Sequence, residues 1–220
     1  MNQSLKQHVK RHVYKLLGAS SVEERRALKR SAPQVTLEEI HTRNCRVVPT
    51  RELMLERLPR GGVVAEVGVA LGDFTREIMA RSAPKKLHLI DLWSSERYRA
   101  GLAKIKADFA AQVSDGTVEI NQGLSTERLE EFADGYFDWV YIDTDHSYAT
   151  TRQELDLAAR KVAPGRGRIA GHDFTCGNPV TPVPYGVIEA CNEFCVRRGW
   201  EYEYLTLESS GYFSFTLKKL

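Results

Sequence analysis

Five short apolar runs, each followed by a stretch of helical periodicity, constrain this 220-residue chain more than any other feature. Val63-Val64-Ala65-Glu66-Val67 is the first and reads as a buried parallel strand. The second is Lys86-Leu87-His88-Leu89-Ile90-Asp91-Leu92, the third Thr117 to Asn121, and the fourth Asp138 to Asp143. Gly165 to Gly171 contains the fifth. The intervening helices are expected at 73–81, 95–112, 125–132 and 148–162, with a fifth at about 186–198. The helix at 148–162 carries Leu155, Leu157, Ala158 and Val162 on its apolar side. Two last strands, about 201–206 and 211–218, flank a turn at Ser209-Ser210-Gly211. Strands alternating with helices mean a Rossmann-like, doubly wound α/β sheet of seven strands, the last antiparallel.

Gly61-Gly62 marks a change of character. Residues 1–60 read as an N-terminal helical extension that caps a site or builds a homodimer, and residues 61–220 as the main domain. Leu5, Val9, Val13, Leu16 and Leu17 place a helix over 3–17, and a second covers 21–30. Pieces at 37–44 and 50–58 complete the extension, with Thr50 as the expected N-cap of the latter. Residues 1–33 hold eight Lys/Arg against two Glu, and the remainder 23 basic against 27 acidic residues, so net charge +2 hides an uneven distribution. The basic arm reads as a solvated helical face. No run of eighteen apolar residues exists, so no spanning helix is expected. The start lacks the apolar core of a secretory signal. Cys191 and Cys195 share a helix face as packing residues, and reduced thiols point to the cytoplasm.

Ligands of open α/β sheets sit beyond the carboxyl ends of the strands. Polar residues recur at that end: Glu66, Asp91, Asp143-Thr144-Asp145-His146 and His172-Asp173. After the first strand, Gly68 and Gly72 let the backbone approach a ligand and turn into a helix. Their spacing is neither the dinucleotide fingerprint nor a P-loop. Glu66 would repel a pyrophosphate and suit a cationic ligand. Asp91 stands 19 residues after Gly72, where an acid takes the two hydroxyls of a ribose. Trp93 either covers an adenine or ribose face or packs as a core aromatic.

VVAEVGVALGDFT, LHLIDLW, FDWVYIDTDHSY and APGRGRIAGHDF, in this order, resemble a class I S-adenosylmethionine-dependent methyltransferase. The similarity is greatest to the small-molecule branch of macrocin O-methyltransferase-like and methyltransferase domain 24 proteins, over about residues 60–218. The resemblance implies that Glu66 and Gly68 line the methionine end of the cofactor and that Asp91 holds its ribose. It implies that Gly123 and Ser125 sit by the adenine, where Leu124 replaces the acid often found in the family. Asp143 would stand at the junction of cofactor and acceptor. Two catalytic routes stay open. Asp143 and Asp173, with His172, hold a Mg²⁺ that lowers the pKa of an acceptor hydroxyl. Alternatively, His146 or His172 is a general base without metal. His172 departs from the acidic or amide pair of metal-dependent relatives, and imidazole suits softer metals.

The expected reaction is O-methylation of a small molecule, a sugar or a secondary metabolite. Residues 175–185 hold three prolines in six positions and form a stiff binding loop, with Tyr185 as one wall. No basic, aromatic-interleaved groove speaks for a nucleic-acid partner. The rivals are an NAD-dependent oxidoreductase, which the glycine spacing disfavours, and a non-catalytic nucleoside-binding module, which has no need of the polar strand ends.

Overall fold

The computed structural model describes residues 22–178 and 183–220. The helix expected at 3–17 and the middle of the proline-rich loop lie outside them. Helix α1 (Val22–Ser31) opens the described chain, and a 3₁₀ turn, Glu39–His41, follows. The helix expected over 37–44 is only this turn. The His41 ring accepts the Glu38 backbone N–H at 3.1 Å, one half of a capping box at the start of the turn. Strand β1 (Arg46–Val48) comes next, and then α2 (Arg51–Leu55), capped by the Thr50 hydroxyl as the sequence predicts.

The alternating part runs β2 (Val63–Val67), α3 (Asp73–Ser82), β3 (Lys86–Asp91), α4 (Arg99–Asp108) and α5 (Ala110–Ser114). It continues with β4 (Val118–Gln122), α6 (Ser125–Glu131), β5 (Trp139–Ile142), α7 (Tyr148–Lys161) and β6 (Arg168–Gly171). Helix α8 (Val187–Arg198) and strands β7 (Trp200–Thr206) and β8 (Phe215–Lys219) close it.

The sheet order is β1-β7-β8-β6-β5-β2-β3-β4. Strand β8 is antiparallel to both neighbours, and every other pairing is parallel. The sheet thus has eight strands rather than seven. The extra one, β1, comes from the supposedly helical extension and pairs along β7, Arg46 opposite Tyr204. Three residues are too few for a period-2 signal, and only Val48 is buried while Arg46 and Val47 are exposed. The β7–β8 connection is also longer than the expected Ser209-Ser210-Gly211 turn. The Thr206 hydroxyl accepts the Ser214 N–H at 2.6 Å and ends the strand pairing there.

Alternation within the parallel strands builds one core on each face. Val64, Leu87, Leu89, Trp139 and Tyr141 pack with Met54 and Leu55 of α2 and Ile78 of α3. Ala65, Val67, Ile90, Val140 and Ile142 pack with Leu129, Leu155, Ala158 and Phe194 of α6, α7 and α8. Each fully buried aliphatic side chain contributes roughly 1.5–3 kcal/mol. Cys191 and Cys195 are buried and unbridged in the second core. Because β2 lies between β3 and β5, the helices that follow β2 and β5 pass to opposite faces, and a crevice opens between the two strand ends. Among the described residues no helix is long and apolar enough to cross a membrane.

Candidate active site

A cavity of about 950 Å³ fills this crevice, within the size range of small-molecule sites. Its walls come from the residues just after β2, β3, β5 and β6, from the start of α6, and from the loop before α8. Among the described residues five non-glycine residues have positive φ, and four of them, Ala70, Trp93, His146 and Asp173, line this cavity. Such conformations are costly and concentrate where side chains must be aimed at a site.

The glycine turn is clamped from below. One Asp91 oxygen accepts the N–H groups of Val69 and Ala70 at 2.8 and 2.9 Å, and the other accepts that of Trp93 at 2.8 Å. The turn amides are therefore engaged with a carboxylate, not free to cradle a phosphate. Two bonds fill the first oxygen, the oxygen bonded to Trp93 keeps one lone-pair site, and Asp91 borders the cavity. Gly68 has φ +91°, and a Cβ there would collide with the Asp143 carbonyl, so the glycine lets β2 and β5 close up at their ends. Gly72 is the left-handed N-cap of α3 and faces Ile105 rather than the cavity. Trp93 borders the cavity but is 4% exposed, its indole N–H donated to the Ala70 carbonyl at 2.9 Å. Its ring packs behind the turn. Gly123, Leu124 and Ser125 line the far end, with Leu124 exposed.

Glu66 lies at the floor, 1% exposed, and accepts the Thr75 hydroxyl at 2.6 Å. Burial pushes its carboxyl up to about 8. Repulsion from Asp143 and Asp91 adds to this, while the Thr75 bond and the charge of Arg51 oppose it. Arg51 of α2 lies over the Phe74 ring, 4.5 Å from its centroid, and lines the same cavity. Nothing in its sequence context marks it, since only the tertiary fold brings α2 above β2.

Asp143, His146 and Asp173 converge, each offering a ligand atom within 4.8 Å of the others. His146 Nε2 is 3.1 Å from Asp173 Oδ2, and its Nδ1 is 4.0 Å from Asp143 Oδ1. The trio expected from sequence contained His172 instead. His172 Nδ1 lies 3.7 Å from Asp143 and 3.6 Å from Asp173, but its ring is not part of the cavity wall. The reason is local. His172 continues the sheet ladder, its N–H donated to the Ile142 carbonyl, whereas the positive φ of His146 swings that ring over the strand ends. Burial raises Asp143 above the ordinary carboxylate range, against the pull of both imidazoles. Burial would also raise Asp173, but the nearby His172 and His146 imidazoles hold it low. Asp145 is a turn residue that accepts from the Ser147 N–H and the Thr150 hydroxyl. Ser147, not His146, caps α7.

Glu154 is absent from the sequence-based site residues. It is wholly buried on α7, accepts the Thr144 hydroxyl at 2.9 Å, and is pushed up to about 7 by burial. A signal existed: Glu154 shares the helix stripe of Leu155, Ala158 and Val162, where an acid has no place in a plain core. At the loop before α8, Tyr185 packs on His146 at 4.6 Å between centroids, and Tyr212 and Asn178 add polar edges. Lys29 of α1 donates to the Tyr185 carbonyl at 2.6 Å and to Glu189 at 2.7 Å, tying the extension to this wall.

The model of a family described as methyltransferase domain matches residues 65–174. No curated protein matches the chain in sequence. Among solved structures the chain is similar to the pyocyanin biosynthetic protein PhzM, with TM-score 0.53 and 16% identity over 73% of this chain and 51% of that one. It is similar to an O-methyltransferase family protein from Burkholderia thailandensis, with TM-score 0.55 and 16% identity over 77% and 55%. A putative rRNA-methylase from Clostridium thermocellum gives TM-score 0.58 and 12% identity over 77% and 93%. The chain thus spans about half the length of the first two, and at these identities the likeness is one of fold.

Proposed function

The chain belongs to the methyltransferase-domain family, whose model spans residues 65–174, and from that premise we propose that it methylates a hydroxyl oxygen of a small molecule with S-adenosylmethionine. The observation that carries this is the pairing, in one cavity, of a buried acid at the end of β2 with an Asp–His–Asp cluster at the ends of β5 and β6. The donor set fits the cofactor. Glu66 and Asp143 make a cation-seeking floor, and Asp91 is placed for the ribose hydroxyls. Gly123 and Ser125 border the adenine end, with Glu154 steadying Thr144 beside them. Gly68 and Gly72 shape the turn, and Trp93 supports it from behind.

Bound S-adenosylmethionine supplies an electrophilic methyl on a sulfonium sulfur. The chain's share is alignment and removal of one proton. Asp173 accepts from His146 Nε2–H, which leaves the Nδ1 lone pair to take the acceptor's hydroxyl proton while Asp143 stabilises the imidazolium. With the cofactor bound, methyl transfer would form the C–O bond at the expense of the S–CH₃ bond, whose electron pair would remain on sulfur. His172 sits behind the cluster and keeps Asp173 ionised. A second assignment has its own support: Asp143, His146 and Asp173 converge closely enough to hold a divalent cation, which would acidify the hydroxyl. Two carboxylates suit Mg²⁺, and the imidazole a softer ion. We assign residues 1–60 to an extension that caps the acceptor wall through Lys29.

Calorimetric titration with S-adenosylmethionine and S-adenosylhomocysteine, with Mg²⁺ and with chelator, tests the cofactor. A panel of hydroxylated small molecules and methyl-labelled cofactor tests the acceptor. Binding in the micromolar range and label transferred to oxygen are expected. Absence of binding refutes the proposal, and label on an RNA instead refutes its acceptor.

A further inference from the structure

An amino-acid end on the cofactor carries a carboxylate as well as an ammonium, and the acids on the cavity floor repel the former. Side-chain donors near that floor are few. The Thr75 hydroxyl is engaged with Glu66, and the first turn of α3 otherwise presents Asp73 and Phe74. Among the described residues two Arg and no Lys line the cavity, Arg51 and Arg97. Arg97 lies beyond β3 and is stacked over the ring of its neighbour Tyr98.

Arg51 is held at the near end. Its backbone N–H donates to Glu208 at 2.8 Å, and Met54 and Leu55 of the same short helix are fully buried. Its guanidinium lies on Phe74, which in turn packs against Tyr141 with 4.3 Å between centroids. Among the described residues its one ion pair is with the adjacent Glu52, Nε to Oε1 at 3.7 Å. A guanidinium has five N–H donors in a fixed fork, and stacking on a ring leaves its edge free for a planar anion.

We propose that Arg51 binds the α-carboxylate of the cofactor's amino-acid end, at a forked subsite made by the extension rather than by the glycine turn. This rests on the methyltransferase reading. Glu66 and Arg51 would then divide the zwitterion between them, the acid taking the ammonium and sulfonium side. A ligand without the amino-acid group would not sense Arg51.

The test compares S-adenosylhomocysteine with 5′-methylthioadenosine, which keeps the nucleoside and thioether but lacks the amino acid. In calorimetry, Arg51→Met should weaken S-adenosylhomocysteine by roughly 10- to 100-fold, the value of a charge-assisted fork. 5′-Methylthioadenosine should bind the variant as it binds the wild type, which also shows that the variant is folded. Arg51→Lys should recover part of the loss. Equal weakening of both ligands, or of neither, overturns the subsite. If the wild type binds neither ligand, the cofactor assignment itself fails and the subsite with it.

Discussion

Glu66→Gln isolates the electrostatics of the cavity floor. The wild-type carboxyl titrates near 8 in the folded chain and at 4.5 when exposed. A folded-state value raised by burial means stability that is full below about 4.5 and is lost as pH rises toward 8. At about 1.36 kcal/mol per pH unit, the gap corresponds to about 5 kcal/mol at high pH, of which about 4 kcal/mol falls between pH 5 and 9. Glutamine keeps an acceptor for the Thr75 hydroxyl and carries no charge. Urea unfolding of both proteins at about pH 5, 7 and 9 should therefore show the wild type losing stability faster than the variant, with the curves diverging by a few kcal/mol. Glu154, raised to about 7, contributes equally to both and cancels in the difference. Parallel curves would refute the reasoning. The cofactor's positive charge should reverse the effect, so binding near pH 7 should release a proton from the wild type and not from the variant. Calorimetry in buffers of different ionisation enthalpy reads this directly.

Asp91→Ala removes the acceptor of three backbone N–H groups, so unfolding free energy should fall by about 2–4 kcal/mol, and nucleoside affinity with it; unchanged urea midpoint and affinity would both count against the clamp. Gly68→Ala places a methyl against the Asp143 carbonyl at φ +91° and should cost about 3 kcal/mol or more, visible as loss of the cooperative thermal transition. His146→Gln should slow methyl transfer roughly 10²- to 10⁴-fold while S-adenosylhomocysteine binds as before. A normal rate in that variant would move the proton to another group.

Much of the fold was legible because the parallel strands are buried on both faces and so appear as nearly continuous apolar runs, as at Val63–Val67, interrupted only by Glu66, and at Trp139–Ile142. Their polar last residues could be read off the same way, because strand ends of one direction share one edge. Strand β1 was not legible, since three residues at a sheet edge are specified by the open hydrogen bonds of β7 rather than by their own pattern. Glu154 left a trace as an acid on an apolar stripe, and Arg51 left none.

The sequence by itself determined the order of elements, the antiparallel closing strand and the acids Glu66, Asp91, Asp143 and Asp173 at one edge of the sheet. Periodicity and strand direction are local properties, and they place residues along an element. Tertiary structure decided which of two histidines lines the cavity, with His146 at a positive backbone angle and His172 held in the sheet ladder. It also decided that Asp91 grips the turn and that Arg51 reaches the floor from an element outside the alternating pattern. Those outcomes depend on contacts between residues distant in sequence, and no local pattern encodes them.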